Sequence, residues 1–379
     1  MTVSSTPSAA DYLKKAKRLV IKIGSALLVD ETTGQPRHDW LEALTTEVAR
    51  YRKAGVEVVL VSSGAIAVGR LHLDLMHTKL KLEEKQAAAA TGQVLLAHAY
   101  QEALKPHGLT LSQVLLTLED TEERRRHLNA RNTLNTLLRL GTIPVINEND
   151  TVGTSEIRFG DNDRLAARVA AMINADLLVL LSDIDGLYTA DPKKNPDARF
   201  LPVIEEITPE IEAMAGEAVP GFSTGGMVTK LAAARISVGS GTNMIITNGH
   251  ESAPLTRIEG GQRASVFVAG MEPKTAKKRY IAGTLKPSGA LHLDAGAVKA
   301  LKAGKSLLPA GVAKIEGDFL RGDALSIFTP EGQEIARGLV AYDKREAFLI
   351  MGRRSADIAL LLGYEGRDEM IHRDDLVLL

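Results

Sequence analysis

Cysteine is missing from this chain altogether. Its absence excludes disulfides, thiolate chemistry and Cys-ligated zinc, and leaves the redox compartment only weakly constrained. Net charge is almost as scarce: 46 Lys/Arg stand against 47 Asp/Glu, a formal −1 at pH 7. No global field therefore draws the protein to nucleic acid or to an anionic membrane. No apolar run approaches the length of a membrane span. Met1 to Ala10 are small and polar without an apolar centre, and read as a tail, not a signal peptide. We expect the tail over 1–15 and a cytoplasmic protein. Several signatures are also lacking. Gly304-Lys305-Ser306 imitates a Walker A ending, but the glycine needed five places earlier is Lys299. No GxGxxG, HExxH or EF-hand pattern appears, and the nine histidines are scattered without metal spacing.

What is present is ordinary globular composition, 45% hydrophobic and 25% charged, over 379 residues, a length that predicts two domains. Short apolar runs alternate with helical patterns. Strands are expected at 19–23, 57–61, 109–116, 143–146, 177–181 and 243–247. Helices are expected at 40–54, 65–71, 85–104, 120–140, after Asp163, and at 231–238. The helix at 85–104 is rich in alanine and reads as packing. The charge run Glu122 to Arg126 reads as a solvated face. This alternation implies an α/β fold with a mainly parallel sheet sandwiched by helices. Polar loops that follow the strands would then gather at the carboxyl edge of the sheet.

Four of these loops invite chemistry, and each has a plainer reading. Asn147-Glu148-Asn149-Asp150 follows a buried strand, and Gly160-Asp161-Asn162-Asp163 precedes an amphipathic helix with Leu165, Ala166, Val169, Ala170 and Ile173 on one face. They are turn residues and a helix cap, or the two sides of a substrate pocket. Lys22 lies in a β-branched strand before Gly24-Ser25. It snorkels to solvent, or it supplies charge to a phosphate. Ser62-Ser63-Gly64 stands between a strand and a helix, as a cap or as backbone donors near a ligand. Thr224-Gly225-Gly226 leads to a helix with Lys230 in its first turn, a flexible loop or an anion site.

From about Met271 the texture changes. Lys274, Lys277, Lys278 and Arg279 make a polar link, and short runs broken by glycine follow. We expect a domain at 16–270, a linker at 271–285 and a small β-rich domain at 286–370. From Thr284 onward 13 Lys/Arg meet 14 Asp/Glu, a balance that does not favour nucleic-acid binding.

Assembled, these segments resemble the amino acid kinase family and, within it, the glutamate 5-kinases. The motifs are VIKIGS at 20–25, SSGAIAVGR at 62–70, PVINEND at 144–150, FGDND at 159–163, SDIDGLYTADP at 182–192 and STGGMVTK at 223–230. SLLPAGV at 306–312, GDFLRGD at 317–323 and LGYEG at 362–366 are similar to a PUA domain, a small barrel. Ser182 replaces the threonine common in relatives and keeps the hydroxyl.

The resemblance implies phosphorylation of the L-glutamate side chain by ATP with Mg2+, the first step of proline biosynthesis. It implies that Lys22 and Lys230 contact the ATP phosphates and that Asp163 holds both lysines. Ser63, Asp150 and Asn162 would bind glutamate, with Asp161 and Arg158 in the same loop. Ser182, Asp183, Thr224, Gly225, Gly226, Met227, Val228, Thr229 and Lys230 would line the nucleotide site. No protein metal ligand is implied. Proline as inhibitor, a homotetramer and hand-off to glutamyl phosphate reductase follow from the same likeness, as does RNA for the PUA-like domain, against its neutral charge. Two other readings compete: a relative acting on aspartate, acetylglutamate or a nucleoside monophosphate, and an RNA-binding or regulatory protein on an inactive kinase fold.

Overall fold

A computed structural model of the chain describes residues 7–30, 33–75, 80–153, 162–215, 226–279, 281–282 and 286–379. Contacts divide it into two compact units, Met1–Glu122 with Asn129–Pro273, and Glu123–Leu128 with Lys274–Leu379.

The first unit opens with α1 (Ala9–Lys15), β1 (Arg18–Ile23), α2 (Ser25–Leu28), α3 (His38–Lys53) and β2 (Glu57–Val61). Then come α4 (Ala65–His72), α5 (Leu82–Leu104), β3 (Leu111–Leu116), α6 (Leu118–Glu122), α7 (Arg124–Arg139) and β4 (Ile143–Glu148). Next are α8 (Asn162–Ile173), β5 (Leu177–Ser182), the two-residue strands β6 (Leu187–Tyr188), β7 (Phe200–Leu201) and β8 (Val203–Ile204), and α9 (Pro209–Ala213). α10 (Met227–Gly239), β9 (Asn243–Asn248), α11 (Pro254–Glu259) and β10 (Ala264–Phe267) close it. Eight strands form one sheet in the order β3-β4-β2-β1-β5-β9-β10-β8. All neighbours are parallel except β9 and β10. The central strands are buried on both faces, as parallel strands with helices on either side must be.

Alternation sorts β1 between two apolar layers. Leu19, Ile21 and Ile23 join the layer built with α3 and α5, while Val20 joins the layer built with α8 and α10. The helical face expected on α8 is the buried one: Leu165, Ala166, Val169, Ala170 and Ile173 are at most 2% exposed. α4 and α5 meet backbone to backbone. A Cβ on Gly69 would lie 1.7 Å from the Ala88 carbonyl oxygen, and one on Gly92 would lie 1.8 Å from that of Ala65.

The second unit holds β11 (Gly289–Leu293), α13 (Ala295–Lys302), β12 (Val312–Gly317), β13 (Ala324–Phe328), β14 (Glu334–Leu339), α14 (Lys344–Ile350), α15 (Ile358–Leu362) and β15 (Leu376–Leu378). Its sheet runs β12-β11-β13-β14-β15 around an apolar core of its own. The remaining helix, α12 (Pro273–Arg279), spans the change of unit.

Four expectations need correction. The tail expected over 1–15 is helical from Ala9 to Lys15: Ser8 caps it through Asp11, and Leu13 is fully buried in the first apolar layer. One leucine and a capping box outweigh the polar composition around them. The linker expected at 271–285 begins as α12, whose Ala276 is buried and whose Lys277 reaches Asp375 at 2.6 Å. The small domain does not stop at residue 370, because Ile371 and Leu376 belong to its core and β15 pairs with β14. The helix expected at 120–140 is broken between Glu122 and Arg124. Glu122 there meets Arg168 of α8 at 2.6 Å, so its charge is partly engaged.

Candidate active site

Lys22 stands one residue before the end of β1. Period-two alternation sends its side chain to the face of Val20, under α8 and α10. There its Nζ lies 2.6 Å from Asp163 Oδ1. Lys230, in the first turn of α10, brings its Nζ to 3.1 Å from Asp163 Oδ2. One carboxylate in the first turn of α8 thus bridges two amines from remote parts of the chain. All three groups are buried, Asp163 to 3% exposure. Burial by itself pushes the Asp163 carboxyl up, but the charges and hydrogen bonds of Lys22 and Lys230 outweigh it and hold it below its ordinary value. Asp163 is therefore an anion at neutral pH, and its oxygens are committed to the lysines. Thr229 joins the group, with Oγ1 3.2 Å from Asp163 Oδ2 and 2.8 Å from the Gly226 carbonyl oxygen.

Asn162, one residue earlier, faces the loop after β2. Its Nδ2 lies 2.8 Å from the Ser62 carbonyl oxygen, 3.0 Å from Ser63 Oγ and 3.1 Å from Asn147 Oδ1. Gly64 makes that loop possible, with φ of 90° at the cap of α4, a conformation natural to glycine. The other amide atom, Asn162 Oδ1, is buried and has no hydrogen-bond partner among the described residues. A buried acceptor left open at a strand-end loop is a place for a ligand donor.

Asp150 follows β4 and is 7% exposed. No ion pair with it occurs among the described residues, and burial pushes its carboxyl up to about 6. Ser182 ends β5, and its hydroxyl donates to Asp183 Oδ1 at 2.9 Å. The glycine-capped start of α10 contributes Gly226, Met227 and Val228 beside Thr229 and Lys230. Asp161, Arg158, Thr224 and Gly225 lie outside the described residues.

The structure therefore unites Lys22, Asp163 and Lys230 in one cluster and Ser63 with Asn162 in an adjoining one. Asp150, Ser182 and Asp183 stand at the ends of strands in the same sheet, and no hydrogen bond or ion pair joins them to either cluster among the described residues. These groups follow the carboxyl ends of β1, β2, β4 and β5, which are neighbours. The chain lays β2, β3 and β4 on one side of β1 and β5 on the other, so the crevice opens where the winding reverses. Sequence reasoning passed over Asn147 as a separate participant, and over Gln93 and Tyr100, which α5 turns toward the same loop. Asparagine in a strand and glutamine in an alanine-rich helix were the available signals.

Residues 17–248 match the amino acid kinase family model, and residues 289–362 match that of the PUA domain. The chain belongs to the amino acid kinase family. A glutamate 5-kinase of Paramagnetospirillum magneticum is 60% identical over 97% of this chain and 99% of its own length. One of Brucella ovis is 60% identical over 96% of each. Among solved structures, a carbamate kinase of Giardia lamblia bound to AMP-PNP covers 67% of this chain and 99% of its own, at 18% identity and a TM-score of 0.49. The second unit of this family member carries a β-rich sheet over its PUA match. Among the described residues no helix is long and apolar enough to cross a membrane.

Proposed function

We propose that this kinase moves the γ-phosphoryl group of ATP onto the side-chain carboxylate of L-glutamate, giving L-glutamyl 5-phosphate at the entry to proline synthesis. The observation that carries the reading is the Lys22–Asp163–Lys230 bridge at the carboxyl edge of the sheet. The acceptor carboxylate, with an ordinary pKa of about 4.3, is already ionised at neutral pH, so no general base is required. The obstacle is electrostatic. At about 4 Å and an effective dielectric near 20, each like-charge pair costs roughly 4 kcal/mol. Two fixed ammonium groups offset that repulsion where charge develops on the transferring group. Asp163 keeps them side by side and lowers their mutual repulsion.

For the acceptor, Ser63 and Asn162 offer a hydroxyl and an amide carbonyl oxygen, and Asp150 offers a carboxylate for the α-ammonium group. Proline carries the same ammonium and α-carboxylate, so it would compete for these groups as an inhibitor. Ser182, Asp183 and the start of α10 line the nucleotide side. No three acidic or histidine side chains are grouped as metal ligands among the described residues. On the family reading, the phosphates of ATP would hold the Mg2+, which would neutralise phosphate charge. We place the junction between the two domains within 271–285. Homotetrameric assembly, hand-off to glutamyl phosphate reductase, an RNA contact of the second unit and a cytoplasmic location rest on the family likeness alone.

ATP turnover measured with glutamate, aspartate and N-acetylglutamate as acceptors, with hydroxylamine trapping the acyl phosphate, tests the reading. Glutamate-dependent hydroxamate is expected. Turnover with another acceptor and none with glutamate would reassign the substrate.

A further inference from the structure

Behind the acceptor groups lies a small cavity of about 10 Å³, where Ser62, Gln93, Tyr100, Gln113 and Asn147 meet a mainly apolar lining. The side-chain amides around it form a chain whose direction is set by backbone groups that can only donate or only accept. Asn147 Oδ1 accepts from the Glu148 backbone N–H at 2.9 Å, which turns Asn147 Nδ2 toward Gln93 Oε1 at 3.3 Å. Gln93 Nε2 donates to the Glu148 carbonyl oxygen at 3.2 Å, which leaves its Oε1 as the acceptor. The backbone N–H and carbonyl of Glu148 thus agree on one orientation for both side chains. Asn147 Oδ1, so placed, lies 3.1 Å from Asn162 Nδ2, which also donates to the Ser62 carbonyl oxygen. Asn162 then has its N–H groups turned inward and Oδ1 turned out. Gln93, Asn147 and Asn162 are each at most 7% exposed, so water does not compete for these bonds.

We propose that Gln93, a helix residue one hydrogen-bonded step from Asn147, is a positioning residue for the acceptor amino acid. Through Asn147 it fixes the Asn162 amide with Oδ1 presented to the ammonium group of the substrate. The inference rests on the reading of Asn162 as an acceptor contact. It distinguishes the acceptor from the nucleotide, because none of the hydrogen bonds just described ends on Lys22, Asp163 or Lys230.

Gln93→Met keeps length and volume and removes the hydrogen bonds of Gln93 to Glu148, Asn147 and Gln113. We expect about a tenfold rise in KM for glutamate, with KM for ATP unchanged within about twofold. Gln113→Met removes only the long bond, 3.5 Å, that Gln113 Nε2 donates to Gln93 Oε1 and leaves the Glu148, Asn147 and Asn162 bonds in place, so it should leave both within about twofold. In an Asn147→Ala background Gln93→Met should add nothing to the glutamate KM. Equal changes in the two KM values, or an additive effect in that background, would overturn the proposal. If Gln93→Met does not fold, Gln93→Glu exchanges the donor facing the Glu148 carbonyl oxygen for an acceptor and carries the same comparison. A crystal structure of the variant separates this idea from the assignment of substrate. An Asn162 amide that keeps its place overturns the positioning role even in an active enzyme. A displaced amide supports it even if the wild-type protein proves to use another acceptor.

Discussion

Asp163 and Asp150 are two buried carboxylates with opposite fates. Asp163 gains two ammonium partners, and its folded-state pKa is lowered. Its contribution to stability is present above the unfolded pKa of about 3.9 and is lost as pH falls through the lower folded value. Asp163→Asn removes the charge that two buried lysines share. We expect a loss of roughly 3–5 kcal/mol in denaturant unfolding and at least about a hundredfold in kcat. Lys22→Ala and Lys230→Ala should each lower turnover by orders of magnitude in folded protein, and unchanged turnover in either would remove that lysine from the mechanism. Asp150 has the reverse sign. Burial raises its pKa to about 6, so the folded chain holds a proton that the unfolded chain has lost between about pH 4 and 6. Stability should fall as pH rises through that window, and Asp150→Asn should recover on the order of 2–3 kcal/mol at pH 8. The ionised form is the one that attracts an ammonium group. KM for glutamate should therefore climb as pH drops below 6 in the wild type and stay flat in Asp150→Asn. A pH-dependent KM in both would detach Asp150 from the acceptor.

At the scale of elements, α4 and α5 decide how well the Ser62–Ser63–Gly64 loop is held. Their contact runs through Gly69 and Gly92, where a single methyl group would strike carbonyl oxygens of the facing helix. Gly92→Ala should force the helices apart at about 3 kcal/mol or more, read as a lower denaturant midpoint. Gly55, with φ of 82° and open space around it, supplies the comparison, since Gly55→Ala should cost only about 1 kcal/mol. Gly92→Ala should also raise KM for glutamate more than KM for ATP, because Ala65 begins the helix that follows the serine loop. The same pair shows where sequence patterns stop. Alanine content marks α5 as a packing helix, and it is one. Nothing in its periodicity says that Gln93 and Tyr100 sit on the buried side facing a polar loop, because that face is apolar everywhere else. The helix over Ala9–Lys15 escaped for a related reason: it is too short to show a period, and one buried leucine anchors it.

For the molecule as a whole, two units with separate apolar cores imply separable folding. Every core residue of the second unit's cluster lies between Leu291 and Leu376. The segment 286–379 expressed alone should show cooperative thermal unfolding by circular dichroism, and a featureless melt would mean that its core needs the rest of the chain. By itself the sequence determined the alternation of strands and helices and the gathering of polar loops at one sheet edge, while the choice of Lys22, Asp163 and Lys230 came from the likeness to the amino acid kinases. The first two properties are written in short-range periodicity and in residue type, which act within a few positions along the chain. Tertiary structure decided that one aspartate receives both lysines, that the backbone of Glu148 orients the amides of Gln93 and Asn147, and that α12 and β15 fall inside folded elements. Each depends on which strand lies beside which and which helix covers which face. That order comes from the winding of the whole sheet, which no local pattern encodes.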